Sequence, residues 1–317
     1  MLFTPIFKDR IWGGQRLRTS LNKDVPPDRK IGESWEIVDL PGDESLIANG
    51  PQAGRSLREA IGELGSAITG DIRYRQPFPL QTRFINAEDI LSVQVHPGAD
   101  ACRRIGAGRP KTEAWYIIEA EPGAYLYKGF RRGADERVFR QALEDGSVAE
   151  LLDKVPVAPG QCHLIPTGAG HAIGPGILIA EVQTPSDTTY RVYDWDRVDA
   201  SGRKRELHLQ QALQSIRFDI HGEDLPATTE GRLVDCAHFT VDKGRWAAGA
   251  TGRLPGGSAI ALTILSGGGQ FTGTGAGTVS FRRGDSLLVP AAFEGRMEFS
   301  QDCECLIASA TGQGEDL

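Results

Sequence analysis

The 317-residue chain has no run of about 18 apolar residues, the length that a bilayer-crossing helix needs, so no membrane span is expected. Its first residues, MLFTPIFKDR, carry neither a long apolar core nor a small-residue cleavage site and do not read as a secretory signal. Basic excess is missing as well: 35 Lys and Arg stand against 42 Asp and Glu, a net charge of −7. Basic runs do not exceed pairs such as Arg103-Arg104 and Arg131-Arg132, which argues against a nucleic-acid or anionic-membrane partner found through bulk charge. Cysteine is scarce, five in all, and odd in number. Cys303 and Cys305 lie close in sequence, but alternate residues of a strand do not bridge easily, and no further ligand is near for a metal. Reduced thiols and a cytoplasmic setting are expected. The glycine-rich stretch 267–277 lacks the strand–Gly-x-Gly-x-x-Gly–helix context of a phosphate-cradling loop, and reads as a hairpin.

What the chain does have is turn formers. Its 39 glycines and 18 prolines make about 18% of 317 residues, which favours many short strands over a helical bundle. Strands are predicted at 35–49 (around a Pro41-Gly42-Asp43 turn), 79–86, 90–96, 113–119, 123–127, 161–165, 177–183 and 189–194. Helices are predicted at 56–65, where Ser56 and Glu59 have capping-box spacing, at 134–154 with a break at Gly146, and at 205–216. Beyond a polar connector reaching about Glu230, strands return at 259–265, 278–282, 286–290 and 304–309. The length fits two domains, with residues 1–228 and 229–317 as the expected units.

A weak repeat links the halves. Gly160 precedes Pro166 with five residues between, and Gly284 precedes Pro290 in the same way, each pair framing an apolar strand. Two β-barrel units would produce this. In the first copy, GQCHLIPTGAGH (160–171) resembles the second sequence motif, G-x5-P-x-G-x2-H, of the cupin barrels. The turn aims His171 into a barrel mouth. Upstream, Gln94 and His96 stand two apart on a strand and share a face, while Val93 and Val95 take the other. Glu113 opens the next strand. Gln94, His96, Glu113 and His171 together make a borderline-soft donor set suited to Zn²⁺ with an open position. His163, His208, His221 and His238 read as ordinary hydrogen-bonded histidines. The second copy has Gly295 where a ligand would fall, so a metal-free second barrel is expected.

The blocks FKDRIWGG (7–14), GESWEI (32–37), VQVHP (93–97), KTEAWYII (111–118), the 160–171 motif and TYRVYDWDR (189–197) together resemble the short bacterial form of type I mannose-6-phosphate isomerase, over about residues 3–215. The resemblance implies a mostly β bicupin with a few inserted helices. It implies one Zn²⁺ per chain on Gln94, His96, Glu113 and His171, and a small sugar phosphate as substrate. It also implies active-site roles for Arg191, Asp187 and Lys111. Trp12 and Glu33 fall in its blocks and are expected to line the pocket. Arg191, always protonated, is expected to stabilise enediolate charge. Lys111, Asp187 and a metal-bound water remain alternatives for the base. Arg83 and Ser45 are weak candidates for the phosphate anchor. A monomer or homodimer is expected. A metal-dependent cupin oxygenase and a non-catalytic sugar-binding bicupin are the competing readings, since fold alone does not separate them.

Overall fold

The computed structural model describes residues 1–70, 76–198, 201–273 and 277–311. Strands dominate, as the turn-former content requires, and they form two sandwiches. In the first, a six-stranded antiparallel sheet runs in the order Ile6–Gly14, Ile31–Ile37, Gln81–Ala87, Ile177–Gln183, Glu113–Ala120, Cys162–Ile165. A five-stranded sheet faces it, in the order Tyr190–Tyr193, Val93–Val95, His171–Ile173, Tyr125–Phe130, Leu152–Pro156. Period-two alternation decides which side chains enter the space between them. Ile85, Trp115, Ile117, Ile177 and Ile179 meet Leu126 and Ile173 in one buried cluster.

The alternate residues of the same large sheet face away from that interior. Phe84, Ala114, Tyr116, Leu178, Ala180 and Val182 pack against Val241, Ala261, Leu288, Leu306 and Ala308 from the second sandwich. Both faces of the strand Ile177–Gln183 are therefore covered, which is why all seven of its residues are buried. The second sandwich has a five-stranded sheet (Arg232–Asp235, Phe239–Trp246, Cys303–Ala310, Ile260–Ser266, Ser286–Val289). A four-stranded sheet (Thr251–Gly252, Gly295–Phe299, Gly268–Gly273, Gly277–Arg282) completes it. Phe271, Phe281, Met297 and Phe299 fill its interior with Leu262 and Ile264. Cys303 and Cys305 are buried there, and the five cysteines are unbridged. The repeat has a structural counterpart. After Gly160 (φ 93°) and Gly284 (φ 89°), the strands Cys162–Ile165 and Ser286–Val289 each form the edge of the larger sheet in their sandwich.

Three helices pad the outer face of the five-stranded first sheet: Ala99–Ile105, Glu136–Asp145 and Leu209–Ser215. Phe139, Ala142 and Ala212 pack there on Val93, Val95, Ala172 and Val192. The helix Leu57–Leu64 begins with the expected capping box, both bonds present between Ser56 and Glu59. The helical expectation for 134–154 holds only to Asp145. Gly146 (φ 79°) caps that helix in the left-handed region, a 3₁₀ turn follows at Val148–Leu151, and Leu152–Pro156 becomes a strand paired with Tyr125–Phe130. The apolar pair Val148 and Leu152 fits a helix turn by spacing, but the open edge of Tyr125–Phe130 offers backbone partners, and tertiary pairing wins. The strands Ile6–Gly14 and Phe239–Trp246 were not anticipated. The hairpin expected across 267–277 forms as Gly268–Gly273 against Gly277–Arg282, with residues 274–276 outside the described set.

Candidate active site

Cross-strand register brings the expected residues together. His171 pairs with Gln94, and Gln94 with Arg191, so these three share one rung of the smaller sheet and project into the sandwich. On the facing sheet, Trp35, Arg83, Glu181 and Trp115 form another rung, and Glu113 lies beside Gln183 on the next. The turn 166–171 seats both imidazoles. Gly168 takes φ 84° and its N–H donates to the His96 carbonyl at 2.9 Å. A Cβ at Gly170 would come within 2.7 Å of the Phe130 ring, so glycine permits the chain to pass there.

His96, Glu113 and His171 are each at most 1% exposed, and one ligand atom from each lies within 4.8 Å of the others. The tautomers follow from the hydrogen bonds. His96 Nδ1 is 2.9 Å from the Thr188 carbonyl and His171 Nδ1 is 3.0 Å from the Ala169 carbonyl. A carbonyl only accepts, so each Nδ1 is the donor and each Nε2 presents a lone pair. Those Nε2 atoms lie 3.2 Å and 3.9 Å from the Glu113 oxygens Oε1 and Oε2. Both Nε2 atoms and Glu113 Oε2 are buried without a hydrogen-bond partner. Acceptors converging on acceptors in a dry pocket are costly unless a cation sits among them. The three residues therefore fit a metal ion, and Gln94 stands on the adjacent strand. Burial, with the Lys111 charge, pulls His96 down to about 3, keeping its imidazole neutral as a ligand requires. Burial alone would raise Glu113, but Lys111 and the imidazoles outweigh it and hold the carboxyl well below its ordinary value.

Around this cluster lies a cavity of about 600 Å³. Trp12, Glu33, Gln94, Lys111, Glu113, Asp187 and Arg191 all line it, so every expected site residue except the two deeper imidazoles reaches its wall. Lys111 Nζ is 2.6 Å from Glu113 Oε1 and only 2% exposed, and burial brings its pKa to about 8. Asp187 sits beside Thr188, whose carbonyl holds His96. Glu33 accepts from Trp35 Nε1 at 2.6 Å and from Arg10 Nε at 2.8 Å.

Arg83, by sequence only a weak candidate for the phosphate anchor, is the hub of this wall, a role that sequence reasoning did not assign to it. Arg83 reaches three carboxylates at once: Glu33, Glu113 and Glu181. Glu181 also accepts from Trp115 Nε1 at 2.7 Å. The signal was present, because a glutamate within the otherwise apolar run ILIAEV needs a buried partner. Arg10 and Arg205 were missed too. Ser45 is not a phosphate anchor: it is fully buried, bonding Val38 N–H and the Glu36 carbonyl at 2.9 and 3.0 Å, and lies outside the cavity. His163 is bonded to Lys128 at 3.2 Å, as an ordinary buried histidine would be.

Residues 1–121 match the family model of the type I phosphomannose isomerase catalytic domain. Mannose-6-phosphate isomerase ManA of Bacillus subtilis is 34% identical, covering 97% of this chain and 98% of that protein. The mannose-6-phosphate isomerase of Streptococcus mutans is 36% identical, covering 96% of each. The crystal structure of the mannose 6-phosphate isomerase from Bacillus subtilis superposes with a TM-score of 0.85 at 28% identity, over 97% of this chain and 98% of that one.

Proposed function

The chain belongs to the type I mannose-6-phosphate isomerases, and from that membership we propose that its cavity interconverts mannose 6-phosphate and fructose 6-phosphate through a cis-enediol, with one Zn²⁺ as cofactor. The observation that carries the metal reading is the trio of buried, unpartnered donor atoms on His96, Glu113 and His171. Gln94 is assigned as the fourth ligand because its cross-strand partner is His171. Two imidazoles, a carboxylate and an amide oxygen suit zinc with a position left for substrate. When bound there, the ion supplies Lewis-acid polarisation of the sugar's hydroxyl or carbonyl oxygens.

The isomerisation moves a proton between C1 and C2 and another between O1 and O2. Lys111 and Asp187 line the cavity and are the chain's candidates for the C1/C2 proton. Lys111 acts from a dry position in which its ammonium already contacts Glu113 at 2.6 Å. Arg191 supplies a fixed positive charge to an anionic part of the substrate. Trp12 and Glu33 line the same cavity.

A coupled assay tests this reading. The chain should form fructose 6-phosphate from mannose 6-phosphate, lose that activity to a chelator, and regain it with zinc. No product from zinc-loaded protein would refute it. Two histidines and one carboxylate also suit iron, which is the observation behind an oxygenase reading. Metal analysis with oxygen uptake separates the two: iron with oxygen consumption would replace the isomerase. Among the described residues no sheet joins a strand up to Tyr193 to one from Arg232 onward, although isolated bridges such as Leu2 to Leu287 cross between them, and this supports division of the chain at about residue 228. Unbridged cysteines support a cytoplasmic site, and among the described residues no helix is long and apolar enough to cross a membrane.

A further inference from the structure

We propose that Arg191 and Arg10 form the seat for the substrate's phosphate on the wall of the cavity. This rests on the sugar-phosphate reading above. Six cations line the cavity: Lys8, Arg10, Arg83, Lys111, Arg191 and Arg205. Lys8 is paired with Asp43, Lys111 with Glu113, Arg205 with Asp194, and Arg83 with three glutamates. Arg191 has no carboxylate at ion-pair distance among the described residues. Its Nη1 donates to the Glu206 carbonyl at 2.8 Å, and its Nε is buried with no partner.

The charges acting on Arg191 are mostly of its own sign. Burial lowers its pKa first, and Arg205, Arg10 and Arg197 lower it further, with Asp194 opposing. Asp194 is already occupied by Arg197 and Arg205. An anion bound beside this half-buried guanidinium offsets the like charges around it.

Arg10 is the second arm. Its side chain is 35% exposed, and its Nε is fixed by Glu33 at 2.8 Å, a carboxylate that it shares with Arg83 and Trp35. Its stem lies against Gly32, where a Cβ would come within 2.6 Å of Arg10 Cβ and Cγ. The guanidinium is thus held at Nε, and its Nη1 donates to the Asp9 carbonyl at 3.2 Å, while the side chain stays partly exposed. A phosphate monoester carries about −1.5 to −2 charges at neutral pH, and guanidinium N–H groups make strong charge-assisted hydrogen bonds to its oxygens. This assigns Arg191 to phosphate rather than to the enediolate charge expected from the sequence.

The test measures inorganic phosphate binding to metal-free protein by calorimetry, so that no metal can hold the anion, together with KM and kcat for mannose 6-phosphate on zinc-loaded protein. Arg10→Gln and Arg191→Gln should each weaken phosphate binding about tenfold or more and raise KM similarly, with kcat within about threefold. Arg10→Lys should lose less than Arg10→Gln, and Arg132→Gln on the surface should lose nothing. Phosphate affinity unchanged in both glutamine variants overturns the seat. So does a fall in kcat at constant KM for Arg191→Gln, which would return this residue to the chemistry. If the unaltered chain makes no fructose 6-phosphate while the variants still lose phosphate binding, the seat stands and the isomerase reading falls.

Discussion

Glu113→Gln keeps the shape of the side chain at the centre of the site and removes its charge. In the native chain that charge faces Lys111 Nζ at 2.6 Å, Arg83 Nη2 at 3.3 Å, and the two imidazoles. After the change, Lys111 is left 2% exposed with no carboxylate at ion-pair distance among the described residues. Breaking a buried pair in this way costs about 3–5 kcal/mol. With an unfolding entropy of about 2.1 cal/mol/K per residue over 317 residues, the metal-free melting midpoint should fall by about 4–8 °C. The response to zinc is the sharper quantity. At a zinc concentration of 100 times Kd the native chain gains about 2.7 kcal/mol, or about 4 °C. Losing the one charged ligand should weaken binding by at least the 10–100-fold seen for outer-sphere partners, which reduces the gain to below about 2 °C. Calorimetric melts of both proteins with and without zinc measure all four midpoints. A variant that rises with zinc as far as the native chain does would refute the placement of Glu113 in the metal site.

Gln94→Ala should lower zinc affinity about tenfold or more, and unchanged affinity in a chelator competition would remove Gln94 from the ligand set. Lys111→Ala and Asp187→Asn, assayed for turnover and zinc content, should include at least one variant that loses about 100-fold in kcat with zinc retained; near-normal turnover in both would discard the base assignment. Burial alone would raise the Glu33 carboxyl, but Arg83 and Arg10 outweigh it and hold it at about 2 against an ordinary 4.5. A depressed folded value gives stability that is full above the unfolded pKa and is lost as pH falls toward the folded one. Glu33 should therefore contribute about 3 kcal/mol above pH 4.5 that disappears by about pH 2. Glu33→Gln should flatten this acid limb in denaturant unfolding, and identical limbs for both proteins would contradict the ion-pair account.

The buried cluster of His96, Glu113 and His171, with Gln94 on the adjacent strand, was legible because its signals are local. The 160–171 turn sets His171 by glycine geometry, and the alternation VQVH sets Gln94 and His96 on one face. The capping box at Ser56 was legible for the same reason. What was not legible depends on partners distant in sequence. Arg83 meets Glu181 only because the strands Gln81–Ala87 and Ile177–Gln183 pair in register, and Thr188 holds His96 across 92 residues. The strand Leu152–Pro156 read as helix because its own side chains fit either period and the deciding edge belongs to Tyr125–Phe130. Arg191 was identified, but its surroundings were not: Arg10 lies 181 positions away in the chain, and no spacing rule joins the two.

On the reading proposed above, His96, Glu113 and His171, completed by Gln94, hold the one divalent ion on which sugar-phosphate isomerisation depends. Zinc titrated into metal-free protein, with bound metal and fructose 6-phosphate formation followed in the same samples, tests it most directly. The two should rise together and level off at one ion per chain. Full turnover from protein carrying less than about a tenth of an ion per chain would contradict it.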